Sequence, residues 1–433
     1  VKEQSTYPMD SLPKMIRVRQ RFAPTVPLDI PKAIGGEFDK LRPFIHPDDR
    51  IAVGVGSRGI TNLAPIVSAV IGQIKRIGAK PFIIPAMGSH GGATPEGQRE
   101  VLASYGVTEE SMGVSIRDSL EVRQVGVTHN GTPAFCSTEA LAADGILLIN
   151  RIKPHTDFFG TLGSGLIKMS VIGLGKRTGA TAMHLAAMQY GYEETLRAIA
   201  SITLRNAPVL GGIAILENQF HETARLVALH RDEMEAAESE LLAAARSMMP
   251  LLPFDEIDLL IIDAIGKNIS GAGLDPNVVN RGIHGYSSFP MRDDRTSPFI
   301  RRIFVRDLTP QTHGNAIGIG MADATTTRLV RSADMAKTNI NALTALTPQA
   351  AKLPIAFDSD RQAIEAMLAS LPLRDPGAAR IVRIADTLSV ADMDVSESLW
   401  NSMESSPAMM QLGEARSMAF DHEGNLVSSA MFD

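Results

Sequence analysis

Apolar residues along this chain fall into short runs bounded by glycine- and proline-bearing turns, with helix-spaced stretches between them. Ile51 to Gly56, Pro81 to Met87, Gly145 to Ile149 and Val209 to Glu217 are near-continuous apolar runs of strand length. Such runs, with little polar alternation, predict strands covered on both faces. Leu63 to Ile77 instead repeats apolar residues at helical spacing. Strand, glycine-rich turn and helix recur twice in this part of the chain, which predicts a mainly parallel α/β sheet.

Around that core the pattern predicts a basic strand over Lys14–Gln20 and a short helix within Leu28–Leu41. Thr94 is placed to cap a helix, with Pro95 at its first position and Gly97 as its weak point. Val114–Arg117 and Glu121–Val127 look like short strand pieces. A helix is expected over Met183–Ile202, interrupted by Gly191, and a long charge-laced helix over Ala224–Met249. Pro250 and Pro253 mark a domain boundary. Beyond it Ile257–Ile265, Arg302–Asp307, Ala316–Gly320 and Ile381–Ile384 read as strands. Ser332–Leu346 and Arg361–Leu371 read as helices, and Ala419–Leu426 holds a hairpin-like turn.

The expected architecture is α/β with two domains. Each has a mainly parallel sheet flanked by helices, and the active site lies in the cleft between them. The boundaries are 1–252 for an N-terminal cofactor-binding and catalytic domain, 253–400 for a C-terminal α/β domain, and 401–433 for a tail packing back on the N-terminal domain.

Composition narrows the functional class. At 433 residues the chain is long enough for two or three cores, and its net charge of −6 carries no nucleic-acid footprint. One cysteine, Cys136, excludes an intrachain disulfide and any multi-cysteine metal site. With no apolar run of transmembrane length, a cytoplasmic location is expected.

The candidate chemistry concentrates between Asn150 and His184, where His155, Lys168, Lys176, Arg177 and His184 stand among six glycines. After a buried strand, this reads as a polar, glycine-rich loop rather than core, the place where open α/β sheets bind ligands. Gly54-Val55-Gly56-Ser57-Arg58-Gly59 follows a strand and precedes a helix. The dinucleotide reading also needs an acid at the end of the next strand, and Pro85-Ala86-Met87 has none. Ser57, Arg58 and Thr61 still suit a phosphate monoester at a helix start, unless the stretch is a plain strand–helix turn. Gly175-Lys176-Arg177-Thr178 lacks the first glycine and the final hydroxyl of a P-loop. Of ten histidines, His90, His155 and His184 lie in or just beyond loops after strands, where an acid/base group reaches a ligand.

These residues, taken in order, resemble the lactate racemase family. The resemblance is carried by GSRGITN with Arg58, Gly88-Ser89-His90 before Thr94-Pro95-Glu96, Pro154-His155, Lys168, and His184 sixteen residues beyond that lysine. The chain departs from the family in having Gly91, where a basic residue is common, after His90. The resemblance implies an isomerase, a racemase or epimerase of a 2-hydroxy acid. It implies a nickel-pincer nucleotide, a pyridinium thioamide/thiocarboxylate mononucleotide carrying nickel. Arg58 would hold its phosphate, Lys168 would tether it, and His184 would ligate the nickel. His90 and His155 would be the acid/base pair, and the Lys267 loop would close over the site. Lys267 or Arg151 would hold the substrate carboxylate. The implied partners are the hydroxy acid and, transiently, cofactor-synthesis and nickel-insertion proteins. No nucleic acid or membrane is implied, and a homo-oligomer is an open alternative. The rival functions are a nicotinamide-dependent 2-hydroxy acid dehydrogenase and a noncatalytic nucleotide- or nickel-binding homologue.

Overall fold

Ile51, Val53 and Val55 bury their side chains on one face of a sheet, and Ala52 on the other. Leu147 and Ile149 join the first face, Ile146 and Leu148 the second. This two-sided burial is why the runs lack polar alternation. The computed structural model describes residues 12–22, 25–56, 59–88, 90–156, 158–282, 298–403 and 408–427. The chain divides into two compact units, one spanning Pro24–His155 and Phe159–Met249, the other Val1–Ala23, Thr156–Phe158 and Pro250–Asp433.

Strands β1 (Met15–Gln20), β2 (Arg50–Val55), β3 (Lys80–Pro85), β4 (Val122–Val127), β5 (Pro133–Ser137), β6 (Gly145–Arg151), β7 (Val209–Glu217) and β8 (Thr223–His230) come first in the chain. The first unit's sheet has the order β3-β2-β6-β7-β8. Its first four strands are parallel, and β8 returns antiparallel to β7. Helices α1 (Ile30–Phe38), α2 (Leu63–Ile77), α3 (Pro95–Ser104) and α4 (Glu109–Met112) supply the core of one face. After the short α5 (Thr138–Leu141) come α6 (Leu166–Lys168), α7 (Leu174–Tyr190), α8 (Tyr192–Asn206) and α9 (Met234–Ser247), which with the β4–β5 hairpin cover the other.

The second unit is built on one mixed sheet. Its remaining strands are β9 (Glu256–Ile265), β10 (Phe299–Leu308), β11 (Ala324–Thr326), β12 (Ile355–Phe357), β13 (Ile381–Ile384), β14 (Asp392–Ser396) and β15 (Met409–Gln411). The order is β12-β11-β10-β9-β13-β14-β1-β15, parallel from β12 to β13 and antiparallel beyond. The basic strand β1 therefore belongs to this sheet, not to the sheet of the residues that follow it. The tail closes here too, with Phe420 bridged to Leu426. Arg306 and Arg383 share Asp263 in this unit, and Arg306 also reaches the buried Asp360. Among the described residues no helix is long and apolar enough to cross a membrane.

Three sequence expectations are corrected. The glycine-rich stretch after Gly165 is helical, running through α6, a π-helical turn (Met169–Gly173) and α7, and Leu166, Ile167, Met169 and Leu174 are buried core. Tertiary packing overrides the low helix propensity of glycine here: a Cβ on Gly173 would lie 2.7 Å from the Ala86 carbonyl oxygen, so the segment packs where only glycine fits. The predicted helix over Ala224–Met249 is the strand β8 followed by α9. The strand gains β7 as a partner, from Gly211↔His230 to Glu217↔Thr223. Ala316–Gly320 is a turn entering a 3-10 helix at Ile319, and the strand lies at β11.

Candidate active site

The crossover after β2 leads to β3 on one side of it, and the crossover after β6 leads to β7 on the other. The carboxyl ends of β2 and β6 thus flank a topological switch point, where loops diverge and leave a crevice. The Gly56 N–H donates to the Ile149 carbonyl at 3.1 Å, joining the two strand ends. Asn150 fills the space a Gly56 side chain would need, its Oδ1 2.6 Å from that Cβ position, and its Nδ2 donates to the Gly165 carbonyl at 2.9 Å.

The turn after β2 carries Ser57 and Arg58, which lie outside the described residues. Its second half is held by the chain itself. The Gly59 N–H donates to the Tyr105 hydroxyl at 2.9 Å, and the Thr61 N–H donates to Glu217 Oε1 at 2.8 Å. The Thr61 hydroxyl donates to the His221 carbonyl at 2.5 Å. Both donors of Thr61 are therefore engaged, the N–H on the Glu217 carboxylate and the hydroxyl on the His221 carbonyl. Arg151 is paired with Glu217 and donates to the Gly59 carbonyl, which engages the guanidinium considered for a substrate carboxylate.

His155 is buried and leaves β6 through Ile152 and Pro154. A backbone pair between Lys153 and Ser164 closes the loop that follows. This brings Lys168 back to the histidine: its Nζ lies 2.5 Å from His155 Nε2. One of the two must donate and the other accept, so an ammonium on Lys168 requires an imidazole with its proton on Nδ1. The His155 ring lies 4.8 Å from the ring of Tyr192, and the His184 ring lies 6.4 Å from the same tyrosine. Tyr192 opens α8 directly after α7, which carries His184. Lys168, His155, Tyr192 and His184 thus form one constellation.

The His90 turn packs beside the same helical segment. A Cβ on Gly88 would lie 2.8 Å from Ile172 Cγ2, within the π-helical turn. Gln98, fully buried on α3, donates to the Gly88 and His90 carbonyls at 2.9 and 3.3 Å. Thr94 caps α3 by accepting the Gly97 N–H, and Pro95 is its first residue. Gly91, at φ +64°, occupies a conformation that a basic residue there would adopt only under strain. The His90 side chain itself is exposed.

A buried lysine and a buried thiol, Lys176 and Cys136, lie within the first unit. Lys176 has φ +53° and ψ −154° between α6 and the body of α7, and its Nζ donates to the Pro85 carbonyl at 2.6 Å. Burial lowers its ammonium to about 8, against the opposing pull of Asp118, Cys136 and Glu139. Burial pushes the Cys136 thiol up to about 12. Lys267 lies in the second unit, where its Nζ donates to the Gly271 carbonyl at 2.8 Å. Among the described residues no three of His, Cys, Asp and Glu are grouped to hold a metal ion.

Sequence patterns did not single out Tyr192, Gln98, Asn150, Glu217 or Glu238. Each acts through a tertiary contact, and none sits in a local motif.

These polar groups gather at the switch-point end of a parallel α/β sheet, the end at which such sheets generally bind ligands. Residues 33–195 match the model of the lactate racemase N-terminal domain. The fold is similar to that of the lactate racemase apoprotein from Thermoanaerobacterium thermosaccharolyticum, with 13% identity and a TM-score of 0.52, over 87% of this chain and 99% of that one. At that identity the likeness shows a shared fold. A protein from Thermotoga maritima aligns over 76% of this chain and 84% of its own, with 13% identity and a TM-score of 0.45. No curated protein matches the sequence.

Proposed function

We propose that the chain is a racemase or epimerase that inverts C2 of a 2-hydroxy acid with a nickel-pincer nucleotide. The observation that carries this reading is the contact of Lys168 Nζ with His155 Nε2, with His184 across the same tyrosine, inside the segment that matches the lactate racemase N-terminal domain. The residues fit such a group: a half-buried amine for attachment at Lys168 and one half-buried imidazole at His184 to serve as the protein's ligand. Arg58 is proposed for the phosphate on the resemblance of its turn. Thr61 is not assigned to the cofactor, because its N–H and hydroxyl are engaged within the chain; Lys267 is kept as a candidate on the resemblance of its loop.

When bound, the nickel-pincer nucleotide supplies the centre that accepts and returns the C2 hydride. The chain does the rest. His155, neutral at Nε2 when Lys168 no longer donates to it, takes the hydroxyl proton of one enantiomer. His90 does the same for the other, and each histidine returns a proton in the reverse direction. Tyr192 packs its ring against that of His155 at 4.8 Å and so helps fix the imidazole's orientation. An imidazole is suited to the task because its ordinary pKa of about 6.5 leaves a free base at neutral pH.

The test uses chain loaded with the cofactor and paired enantiomers of 2-hydroxy acids deuterated at C2. Interconversion with the label largely retained supports the reading. Label lost to solvent at the rate of inversion shows proton abstraction from carbon and removes the hydride route. No interconversion across a broad panel by nickel-bearing protein favours a noncatalytic binding protein.

A further inference from the structure

Glu238 lies on α9 with no solvent exposure. Its Oε2 accepts the Ile167 N–H at 3.0 Å, the Leu166 N–H also acts on the carboxyl, and Oε1 has no hydrogen-bond partner among the described residues. Among the described residues only these amides offset its desolvation and no cation contributes; burial pushes the carboxyl up to about 7. A methionine of similar size would fill the space without burying an acid. What the carboxyl adds is an acceptor for the first amides of α6.

Those amides need one. The residue before α6 is Gly165, which has no side chain to cap the turn. Its missing Cβ is what admits the acid: a Cβ there would lie 2.2 Å from Glu238 Oε1. From the opposite side Asn150 holds the Gly165 carbonyl. The start of the turn is thus held at a carbonyl by a side chain from β6 and at its amides by one from α9. Lys168 is the last residue of that turn, and its Nζ meets His155.

We infer that Glu238 is a positioning residue for Lys168: its carboxyl caps the turn Leu166–Lys168 from α9 and holds the lysine amine on His155. The functional weight of this contact rests on reading Lys168 as the cofactor's attachment point. The contact itself does not depend on that reading.

The test is made on the full chain without cofactor, labelled with nitrogen-15 at histidine, with His155 assigned from a His155→Gln variant. Wild-type His155 should carry its proton on Nδ1, because Nε2 accepts from Lys168. Glu238→Gln keeps a carbonyl acceptor and should keep that signature. Glu238→Met removes the acceptor and should shift His155 toward the Nε2–H form, which free imidazole prefers, while His184 stays unchanged. An unchanged His155 in Glu238→Met, or the same change in both variants, overturns the inference. If Glu238→Met does not fold, amide exchange at Ile167 in the wild type decides. Protection like that of the core strands supports the cap, and exchange as fast as an exposed loop overturns it. A loaded wild-type chain that fails to racemise would sink the functional reading and leave the imidazole signature standing.

Discussion

Gly91 and Gly97 approach so closely that a Cβ on Gly97 would lie 1.9 Å from the Gly91 carbonyl oxygen. The approach fastens the His90 turn onto the first turn of α3. By propensity Gly97 is the helix's weak point; structurally it is the residue that admits the turn. Gly97→Ala should therefore destabilise by about 1–3 kcal/mol, as overpacking does, even though alanine favours helix by about 1 kcal/mol. Thermal unfolding of the variant checks this. A midpoint at or above that of the wild type would show that the turn shifts without cost.

The Arg151–Glu217 pair should behave as one unit. Both side chains are mostly buried, and Glu217 also accepts the Thr61 N–H. Glu217→Gln leaves Arg151 without its counter-charge and should cost about 3 kcal/mol. Urea unfolding measures it. A loss under about 0.5 kcal/mol would place the pair with ordinary solvent-screened surface bridges.

Lys176 predicts a pH dependence of known sign. Its ammonium is lowered to about 8 in the folded chain from an ordinary 10.5. Between those values the unfolded chain binds more protons, so stability rises with pH across the window. The full gain is about 3 kcal/mol. Lys176→Met removes this contribution. The wild type should gain on the variant between pH 7 and pH 10 in urea midpoints, whatever other groups add to both. A constant difference between the two would assign the titration elsewhere.

How much of this is legible in the sequence depends on where each residue's decisive contact lies. Leu63–Ile77, Val209–Glu217 and Ile381–Ile384 form the elements their patterns predict, residue for residue, because burial on a regular face is written into a local period. Leu166 to Ala182 reads as loop because glycine content is a local signal, whereas the helix there is held by close packing on Ala86 and by Glu238. Ala224–His230 reads as helix because it runs on into the Ala-, Glu- and Arg-rich stretch of α9, although the residues before it, in β7, are its sheet partner. At the site, the order of His90, His155, Lys168 and His184 is readable. Tyr192, which stands beside two of those histidines, belongs to no recognisable motif.

The two histidines beside Tyr192 should separate in their effects. On the proposed roles, His184→Ala should lose nickel from cofactor-loaded protein, measured by metal analysis. His155→Gln should retain the metal and lose turnover by a factor on the order of 10²–10⁴. Nickel retained by His184→Ala would remove that residue as the ligand.

The strand β1 has a consequence for how the chain is made. It is synthesised early, yet its neighbours are β14 and β15, and Arg17 meets Asp394 across 377 positions of sequence. At about 5–20 residues per second, roughly 20–75 s pass between the appearance of this strand and that of its partner. Before that interval ends every residue of the unit Pro24–His155 and Phe159–Met249 has been synthesised, while this short basic strand still lacks its sheet partners. Charged side chains on an unpaired strand disfavour its pairing with another chain, so Arg17 and Arg19 would have a use before the salt bridges of the finished sheet exist.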